Sequence, residues 1–246
     1  MNRRWSRPVI LLAALLMMGV TGRAGFWQLD RARQKLALQA QSEQQALAPV
    51  LDTAELARSA AELAAQMQRR VRLRGSWLAE HTVFLDNRQM RDRPGFYVIT
   101  PLLLAGGDAV LVQRGWVPRD MLDRSRLPKL ETPAGTVEIY GRVSPWPSHL
   151  TSLGADAPGP IRQNLAQDSF TAEVGRTLRP LSIAELDQAG QAGQAADGLL
   201  RDWPQPALDL SKHYGYAVQW FTFCAMIAGL YVWFQLLRPW LARRAS

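Results

Sequence analysis

The sequence contains one cysteine and three histidines, and this scarcity argues against several classes of protein. Cys224 lies in a long apolar run near the C-terminus, so the rest of the chain has no disulfide and must be held together by burial alone. Soft metal ions prefer clusters of thiolate or thioether ligands. The scattered Met67, Met90 and Met121 offer no such cluster, which argues against a copper or zinc carrier.

Motifs of common enzymes are also missing. The histidines lie far apart, no serine occupies a strand–turn–helix elbow, and no glycine-rich loop precedes a lysine in a phosphate-binding pattern. We therefore do not expect an enzyme. A membrane-anchored enzyme whose catalytic residues meet only in the folded chain stays an alternative.

Acidic residues are absent from both ends of the chain, although the net charge is +8. Six arginines supply most of that charge: Arg3, Arg4, Arg7, Arg238, Arg243 and Arg244. Because the residues between them nearly balance, we interpret the charge as a topology signal and expect no nucleic-acid partner. The positive-inside rule then predicts that both termini are cytoplasmic, and that residues 30–212 lie on the opposite side of the membrane.

A membrane-sized apolar run lies near the C-terminus. The 24 residues from Tyr214 to Leu237 carry no charge, and at about 1.5 Å per residue a helix of this length crosses a hydrocarbon core of about 30 Å. We predict a transmembrane helix over residues 213–237, followed by a cytoplasmic tail, residues 238–246.

The N-terminal apolar run, residues 9–22, is short for a span and has two interpretations. It is either a secretory signal or the first part of an uncleaved helix. We predict the uncleaved helix over residues 9–29, after a tail of residues 1–8, because Arg23 is unusual beside a cleavage site. Phe26 and Trp27 would suit an interfacial aromatic belt.

Residues 30–68 have helical composition and are predicted to be a helical connector. Pro49 divides it into two helices, residues 28–48 and 53–68. Asp52 and Glu55 have the spacing of a helix N-cap box, so we expect the second helix to begin there.

Residues 69–212 change to the period-two pattern of strands and predict a β-rich domain. Strands are expected at residues 71–74, 82–85, 96–100, 109–113, 136–143, 161–165 and 179–183. Gly75 is expected to interrupt the first strand and Pro101 to stop the third. Several short strands in succession favour antiparallel pairing.

The remaining segments of this domain are predicted as short helices and loops. Residues 118–123 fit a helical turn and residues 167–174 a short helix. Residues 153–160 and the low-complexity residues 188–194 are predicted as loops, and the proline-rich residues 203–206 return the chain to the second span.

His213 stands where the second span meets water. An imidazole at a membrane edge is suited to be an axial ligand of haem iron if one ring nitrogen is free and the other is hydrogen-bonded. A lone interfacial histidine can equally be a polar anchor. A stripe follows at steps of three and four: Tyr216, Trp220, Phe223, Ile227, Tyr231 and Phe234. Such a stripe can pack against a porphyrin, or against the first helix and lipid.

Arginines also recur on the predicted strands and turns, notably Arg88 and Arg114. A guanidinium binds carboxylates bidentately, so these two are candidates to hold haem propionates or an acidic partner surface. The arginines lie in three segments, residues 86–88, 91–95 and 113–116. The alternative is that they form ordinary ion pairs with Asp86, Asp92 and Asp120.

Five blocks of sequence together resemble the Surfeit locus one family of cytochrome c oxidase assembly factors. They are Gly25-Phe26-Trp27-Gln28-Leu29-Asp30-Arg31, Leu85-Asp86-Asn87-Arg88, Gly95-Phe96-Tyr97-Val98-Ile99-Thr100-Pro101-Leu102, Val112-Gln113-Arg114-Gly115-Trp116-Val117-Pro118 and His213-Tyr214-Gly215-Tyr216-Ala217-Val218-Gln219-Trp220-Phe221. Each block alone is weak, but the five in this order, between two membrane helices, are specific.

The resemblance implies a non-enzymatic inner-membrane protein that helps to mature the haem-containing subunit of a terminal oxidase. In bacterial members it implies haem a binding through the histidine matching His213. Expected partners are the catalytic subunit of a haem-copper oxidase, haem a synthase and the lipid bilayer. An assembly scaffold that holds oxidase subunits without haem is the alternative.

Together, these observations predict an α+β membrane protein. Two transmembrane helices flank a periplasmic antiparallel, β-barrel-like domain with peripheral helices. In the haem site, His213 would ligate the iron, Tyr216 and Trp220 would flank the ring, and Arg88 or Arg114 would meet the propionates.

Overall fold

A computed structural model of the chain describes residues 3–123, 126–150, 159–187, 197–203 and 210–244. The predicted loop at 188–194 and most of the loop at 153–160 lie outside these ranges, as do residues 204–206 of the proline-rich return. The chain forms two compact units. We call Met1–Gln41 together with Pro206–Ser246 the helix pair, and Ser42–Gln205 the β unit.

The helix pair contains the two long apolar helices. Helix α1, Arg3–Leu47, runs without a break through the predicted span and the first half of the predicted connector, because good helix formers follow residue 29. Helix α4, Leu210–Tyr231, continues through a π-helical segment, Val232–Leu237, into α5, Arg238–Arg244. Pro8–Leu47 and Leu210–Arg244 are both long and apolar enough to cross a membrane.

Contacts at three levels show that α1 and α4 are antiparallel. Gln28 meets His213, Phe26 meets Phe221, and the Met18 carbonyl meets Cys224, so falling residue numbers on α1 match rising residue numbers on α4. Gly25 brings the helices close, since a Cβ built on it would lie 2.8 Å from the Phe221 ring. A small residue at such a point is typical of helix packing in membranes.

The second half of the predicted connector is helical only over α2, Ala60–Gln66, so the predicted start at Asp52 is wrong. Asp52 lies in the short strand β1, Leu51–Asp52, and Glu55 closes a turn on it, with Asp52 N donating to Glu55 Oε2 at 3.0 Å. The cap is Ser59, whose Oγ accepts from Glu62 N at 3.3 Å. Asp52, the predicted N-cap, is paired with β2 and therefore stays extended.

Eight strands form one sheet in the β unit. After β1 they are β2 Arg70–Trp77, β3 Val83–Met90, β4 Arg93–Leu104, β5 Ala109–Pro118, β6 Thr136–Ser144, β7 Ile161–Arg162 and β8 Leu178–Glu185. Their order is β1-β2-β6-β8-β5-β4-β3-β7, and β2 also pairs with β4. Five strands therefore close a ring: β2, β6, β8, β5 and β4.

The predicted antiparallel pairing is only partly correct. The pairs β2–β4, β2–β6, β3–β4, β4–β5 and β6–β8 are antiparallel, but β1–β2, β3–β7 and β5–β8 are parallel. The pairing of β5 with β8 is possible because a long excursion containing β6 and α3, Gln167–Val174, separates them, and parallel strands need such a crossover. Helix α3 confirms the short helix predicted over residues 167–174.

Two predicted breaks are absent. Gly75 does not interrupt β2, and Pro101 does not end β4. The Pro101 carbonyl accepts from Leu78 N at 3.0 Å. Because the N and C=O of a strand residue point to the same side, the donor that proline lacks faces the end of β2, and the β4–β5 ladder is intact.

The predicted helical turn at residues 118–123 is wrong, since Pro118 ends β5 and residues 119–123 are not helical. Asp120 Oδ1 instead accepts from Leu122 N at 2.8 Å and holds an irregular turn. The predicted strand at 161–165 shortens to β7.

The core of the β unit has layers on both sides of the ring strands. The largest cluster takes buried side chains from all five ring strands, among them Leu73, Leu102, Val112, Ile139 and Ile183. A second cluster packs Phe170 and Val174 of α3 against the alternate residues of β5, Ala109 and Leu111. Burial on both faces stabilises the unit without a disulfide.

Candidate functional site

His213 lies in the first turn of α4 and contacts Gln28 of α1. Its Nδ1 is 2.8 Å from Gln28 Oε1, and both side chains are half-buried. Ala217, one turn further along α4, is only 2% exposed, so the helices are closely packed beside this contact. Among the described residues, no hydrogen-bond partner approaches the other ring nitrogen, Nε2, so this nitrogen is available to a ligand.

The residues of the predicted aromatic stripe on α4 differ in exposure. Trp220, Ile227 and Tyr231 are half-buried, whereas Tyr216 is 53% exposed, and Phe223 and Phe234 are also exposed. Trp220 and Phe223 make an edge-to-face contact with centroids 6.0 Å apart. The packed face includes small residues that the aromatic pattern missed, Ala217 and Cys224. Ala217 lies four residues after His213 and Cys224 four residues after Trp220, and this helical spacing could have placed them on the packed face.

Both Tyr216 and Trp220 share the side of α4 on which His213 lies. Residues three and seven positions apart fall close together around a helix. The exposed phenol ring and the half-buried indole therefore extend from the imidazole along one surface of the helix pair. That surface combines one imidazole with two flat rings, a set of side chains that suits a large planar ligand.

Arg88 lies on β3 and is only 5% exposed. It donates to Ser148 Oγ at 3.0 Å and to the carbonyls of Ser148 and Gln163 at 2.9 and 3.2 Å. Its guanidinium also lies 5.8 Å from the centre of the Tyr97 ring. Burial lowers the pKa of Arg88, because no described carboxylate pairs with it.

Arg114 lies on β5 and is 2% exposed. It donates to Thr132 Oγ1 and to the Glu131 carbonyl, each at 2.8 Å, and stacks 4.8 Å from the Trp77 ring centre. Burial lowers its pKa as well. Arg88 and Arg114 share no hydrogen-bond partner, so the contacts of the described residues do not bring them together.

The alternative explanation for these two arginines, pairing with nearby aspartates, is wrong. Among the described residues, Asp86 pairs with Arg119 at 3.5 Å and Asp120 with Arg126 at 3.7 Å. Arg88 and Arg114 bind neutral oxygens of the connections between strands instead. Such partners depend on how the connections fold back, which the local sequence does not indicate.

Sequence reasoning also missed a buried charged cluster around Arg201. This side chain pairs with Asp197 at 2.6 Å, Glu185 at 2.9 Å and Asp187 at 3.1 Å. Burial raises the pKa of Glu185 to about 7, and Arg201 opposes that shift only in part. One guanidinium among three carboxylates leaves Glu185 incompletely compensated.

Within the described residues, no three His, Cys, Asp or Glu side chains gather as a metal-binding group.

Comparison with known proteins gives matches to one family. The model of the SURF1 family matches residues 15–225. SURF1-like proteins of Rickettsia bellii and Rickettsia felis are 27% and 26% identical over 94 and 107 residues, which cover 37% and 43% of this chain and 36% and 45% of theirs. Surfeit locus protein 1 of Arabidopsis thaliana is 28% identical over 134 residues, 50% of this chain and 36% of the relative.

The aligned segments span less than half of each of these relatives, whereas the family match covers most of this chain, from within α1 to within α4. It includes Gln28, His213 and all eight strands. The chain belongs to the SURF1 family.

Proposed function

We propose that this protein is an assembly factor for a haem-copper terminal oxidase, cytochrome c oxidase, and acts without catalysing a reaction. Membership of the SURF1 family supports this proposal. The proposed partners are the catalytic subunit of the oxidase and haem a synthase. The two long apolar helices favour a membrane location, with both termini in the cytoplasm and the β unit in the periplasm.

The finer proposal is that the protein binds haem a transiently and passes it to the catalytic subunit. The observation that carries it is the His213–Gln28 contact, which joins two of the blocks that resemble the family and leaves Nε2 available. Haem would be the cargo of the protein. Its iron would take the Nε2 lone pair as an axial ligand, while Tyr216 and Trp220 would flank the ring.

A propionate role for Arg88 or Arg114 stays a prediction. The terminal nitrogens of both arginines already donate to protein oxygens, and both side chains are almost fully buried. A propionate would have to displace the hydroxyl of Ser148 or Thr132 to reach them. We therefore base the haem proposal on His213 and not on the arginines.

The test is to purify the full-length protein after co-expression with the haem a biosynthetic enzymes and to record its absorption spectrum. We expect a haem band that His213→Ala removes or shifts. His149→Ala is the matched control, because this histidine is exposed on the β unit, and its spectrum should equal that of the unaltered protein.

Two results would contradict the proposal in different ways. A folded, colourless protein that still co-purifies with the catalytic subunit would favour the scaffold without haem. Normal oxidase maturation after deletion of the gene would contradict the assembly function itself and favour the membrane-anchored enzyme.

A further inference from the structure

The contact between Gln28 and His213 relates the position of the imidazole proton to the orientation of the Gln28 amide. A neutral imidazole has one N–H donor and one acceptor nitrogen. The Gln28 atom that faces Nδ1 at 2.8 Å is the carbonyl oxygen Oε1, which only accepts. With the amide in this orientation, Nδ1–H donates to Gln28 Oε1 and Nε2 keeps its lone pair.

The two helices are closely packed within one turn of Gln28. One turn before it on α1, the Cβ-free face of Gly25 lies against the Phe221 ring, and Phe26 meets the same ring edge-to-face at 5.2 Å. Ala217 is buried beside His213 on the opposite helix. In the described part of the chain, the Gln28 amide has no hydrogen-bond partner other than His213.

We infer that Gln28 is the positioning residue of the proposed haem site: it holds His213 in the Nδ1–H form, so that Nε2 is ready to bind iron. This inference rests on the proposed function. Histidines that bind metals almost always donate their second N–H to a nearby acceptor, which fixes the ring orientation and raises ligand basicity. Gln28 provides that acceptor from the other helix.

The chemical nature of the acceptor has a further consequence. An amide oxygen is neutral and strengthens the donor properties of imidazole less than a carboxylate does. A glutamine therefore orients the ligand without the additional electron donation that a glutamate would give. A moderate iron–histidine bond is appropriate for a cargo that must be released.

The first test needs no haem. The full-length protein, labelled with 15N at its three histidines and purified in detergent, is studied by NMR under mildly alkaline conditions. His213→Ala identifies the His213 signals. We expect the Nδ1–H form in the unaltered protein and in Gln28→Glu, which keeps an acceptor, and loss of that preference in Gln28→Leu.

Gln219→Leu is the matched control, since this glutamine is exposed on α4 and should not change the His213 signals. A predominant Nε2–H form in the unaltered protein would overturn the inference. So would an unchanged tautomer in Gln28→Leu.

The second test measures haem binding by titration of the haem-free protein. Loss of an acceptor next to a metal-bound histidine typically lowers affinity about 10- to 100-fold, which we expect for Gln28→Leu. Gln28→Glu keeps an acceptor, so it should retain haem binding and lower the haem reduction potential. If His213→Ala abolishes binding but Gln28→Leu binds normally, the Gln28 inference alone fails. If His213→Ala also binds normally, the proposed haem ligand is wrong.

Discussion

Burial raises the pKa of Glu185, and the guanidinium of Arg201, which is shared among three carboxylates, opposes this shift only in part. Glu185 Oε1 lies 2.9 Å from Arg201, while Oε2 is buried without a hydrogen-bond partner among the described residues. Asp197 and Asp187 compete for the same cation. Burial therefore dominates, and the pKa of Glu185 is about 7 in the folded protein, above the ordinary value of 4.5.

We predict that Glu185 makes the folded protein less stable as the pH rises from about 4.5 to about 7. In that interval the folded state binds a proton that the unfolded state has already lost, so raising the pH favours unfolding. A shift of this size corresponds to about 3 kcal/mol across the interval. Thermal unfolding of the full-length protein between pH 4.5 and 8 measures the effect.

Glu185→Gln should remove most of this pH dependence. Glu173→Gln is the control: Glu173 is exposed and paired with Arg162 at 2.7 Å, which lowers its pKa, so it does not titrate in this interval. If Glu185→Gln retains the pH dependence of the unaltered protein, the assignment to Glu185 is wrong.

At the scale of elements, glycines on the ring strands permit close approach between neighbours. A Cβ on Gly95 of β4 would overlap the Val117 carbonyl oxygen of β5 and lie 2.5 Å from the Trp116 ring. Gly75 of β2 has the same relation to the Leu103 carbonyl of β4, where the ring closes. Neither carbonyl is free to move, because each belongs to a paired strand.

We predict that Gly95→Ala destabilises the folded protein by about 2 kcal/mol, since overpacking against backbone typically costs 1–3 kcal/mol. Chemical denaturation followed by tryptophan fluorescence measures the change. Gly106→Ala is the control, because its nearest contact is the Asp108 carboxylate at 3.1 Å, at a turn where a side chain can move. Equal effects of the two substitutions would contradict the strand-contact explanation.

Gly25 has a corresponding role in the helix pair. A leucine there would meet the Phe221 ring and separate the helices, so Gly25→Leu should lower both the thermal stability of the purified protein and haem binding at His213. Gly19→Leu lies on the same helix, where nothing within 4 Å would meet a Cβ, and should be neutral. The double variant Gly25→Leu/Phe221→Ala should recover part of the loss; no recovery would indicate that another contact is responsible.

The local pattern predicts elements well and their long-range pairing poorly. The strands β2 to β6 and helix α3 were predictable because period-two alternation and helix propensity act over a few residues. Ring closure through β2–β4 and the parallel β5–β8 pair depend on contacts between distant segments, so they carried no local signal. Asp52 and Ser59 begin similar cap patterns, and only sheet pairing distinguishes them.

The same limit applies to the candidate site. His213 was identifiable from its place at the end of an apolar run, but its partner Gln28 lies 185 residues away and no spacing rule connects them. Both lie in blocks that resemble the SURF1 family, and that was the available signal. The partners of Arg88 and Arg114 are hydroxyls and carbonyls of loops, which have no distinctive pattern in sequence.

At the scale of the whole molecule, charge and hydropathy together suggest how the chain is inserted. The β unit exposes few large apolar side chains in its described part, whereas both long helices expose many, among them Leu12, Leu16, Met226 and Trp233. Exposed apolar helices are unfavourable in water and favourable in lipid. The six terminal arginines would resist transfer across the membrane.

We therefore predict that both termini are cytoplasmic and that the β unit is periplasmic. The chain has only one cysteine, so Cys224→Ser provides a background for single cysteines. Glu80→Cys, at an exposed position of the β unit, should react with a membrane-impermeant thiol reagent added to intact cells. Ser6→Cys should react only after the cells are permeabilised. Labelling of Ser6→Cys in intact cells, with Glu80→Cys protected, would reverse the topology and place His213 on the cytoplasmic side.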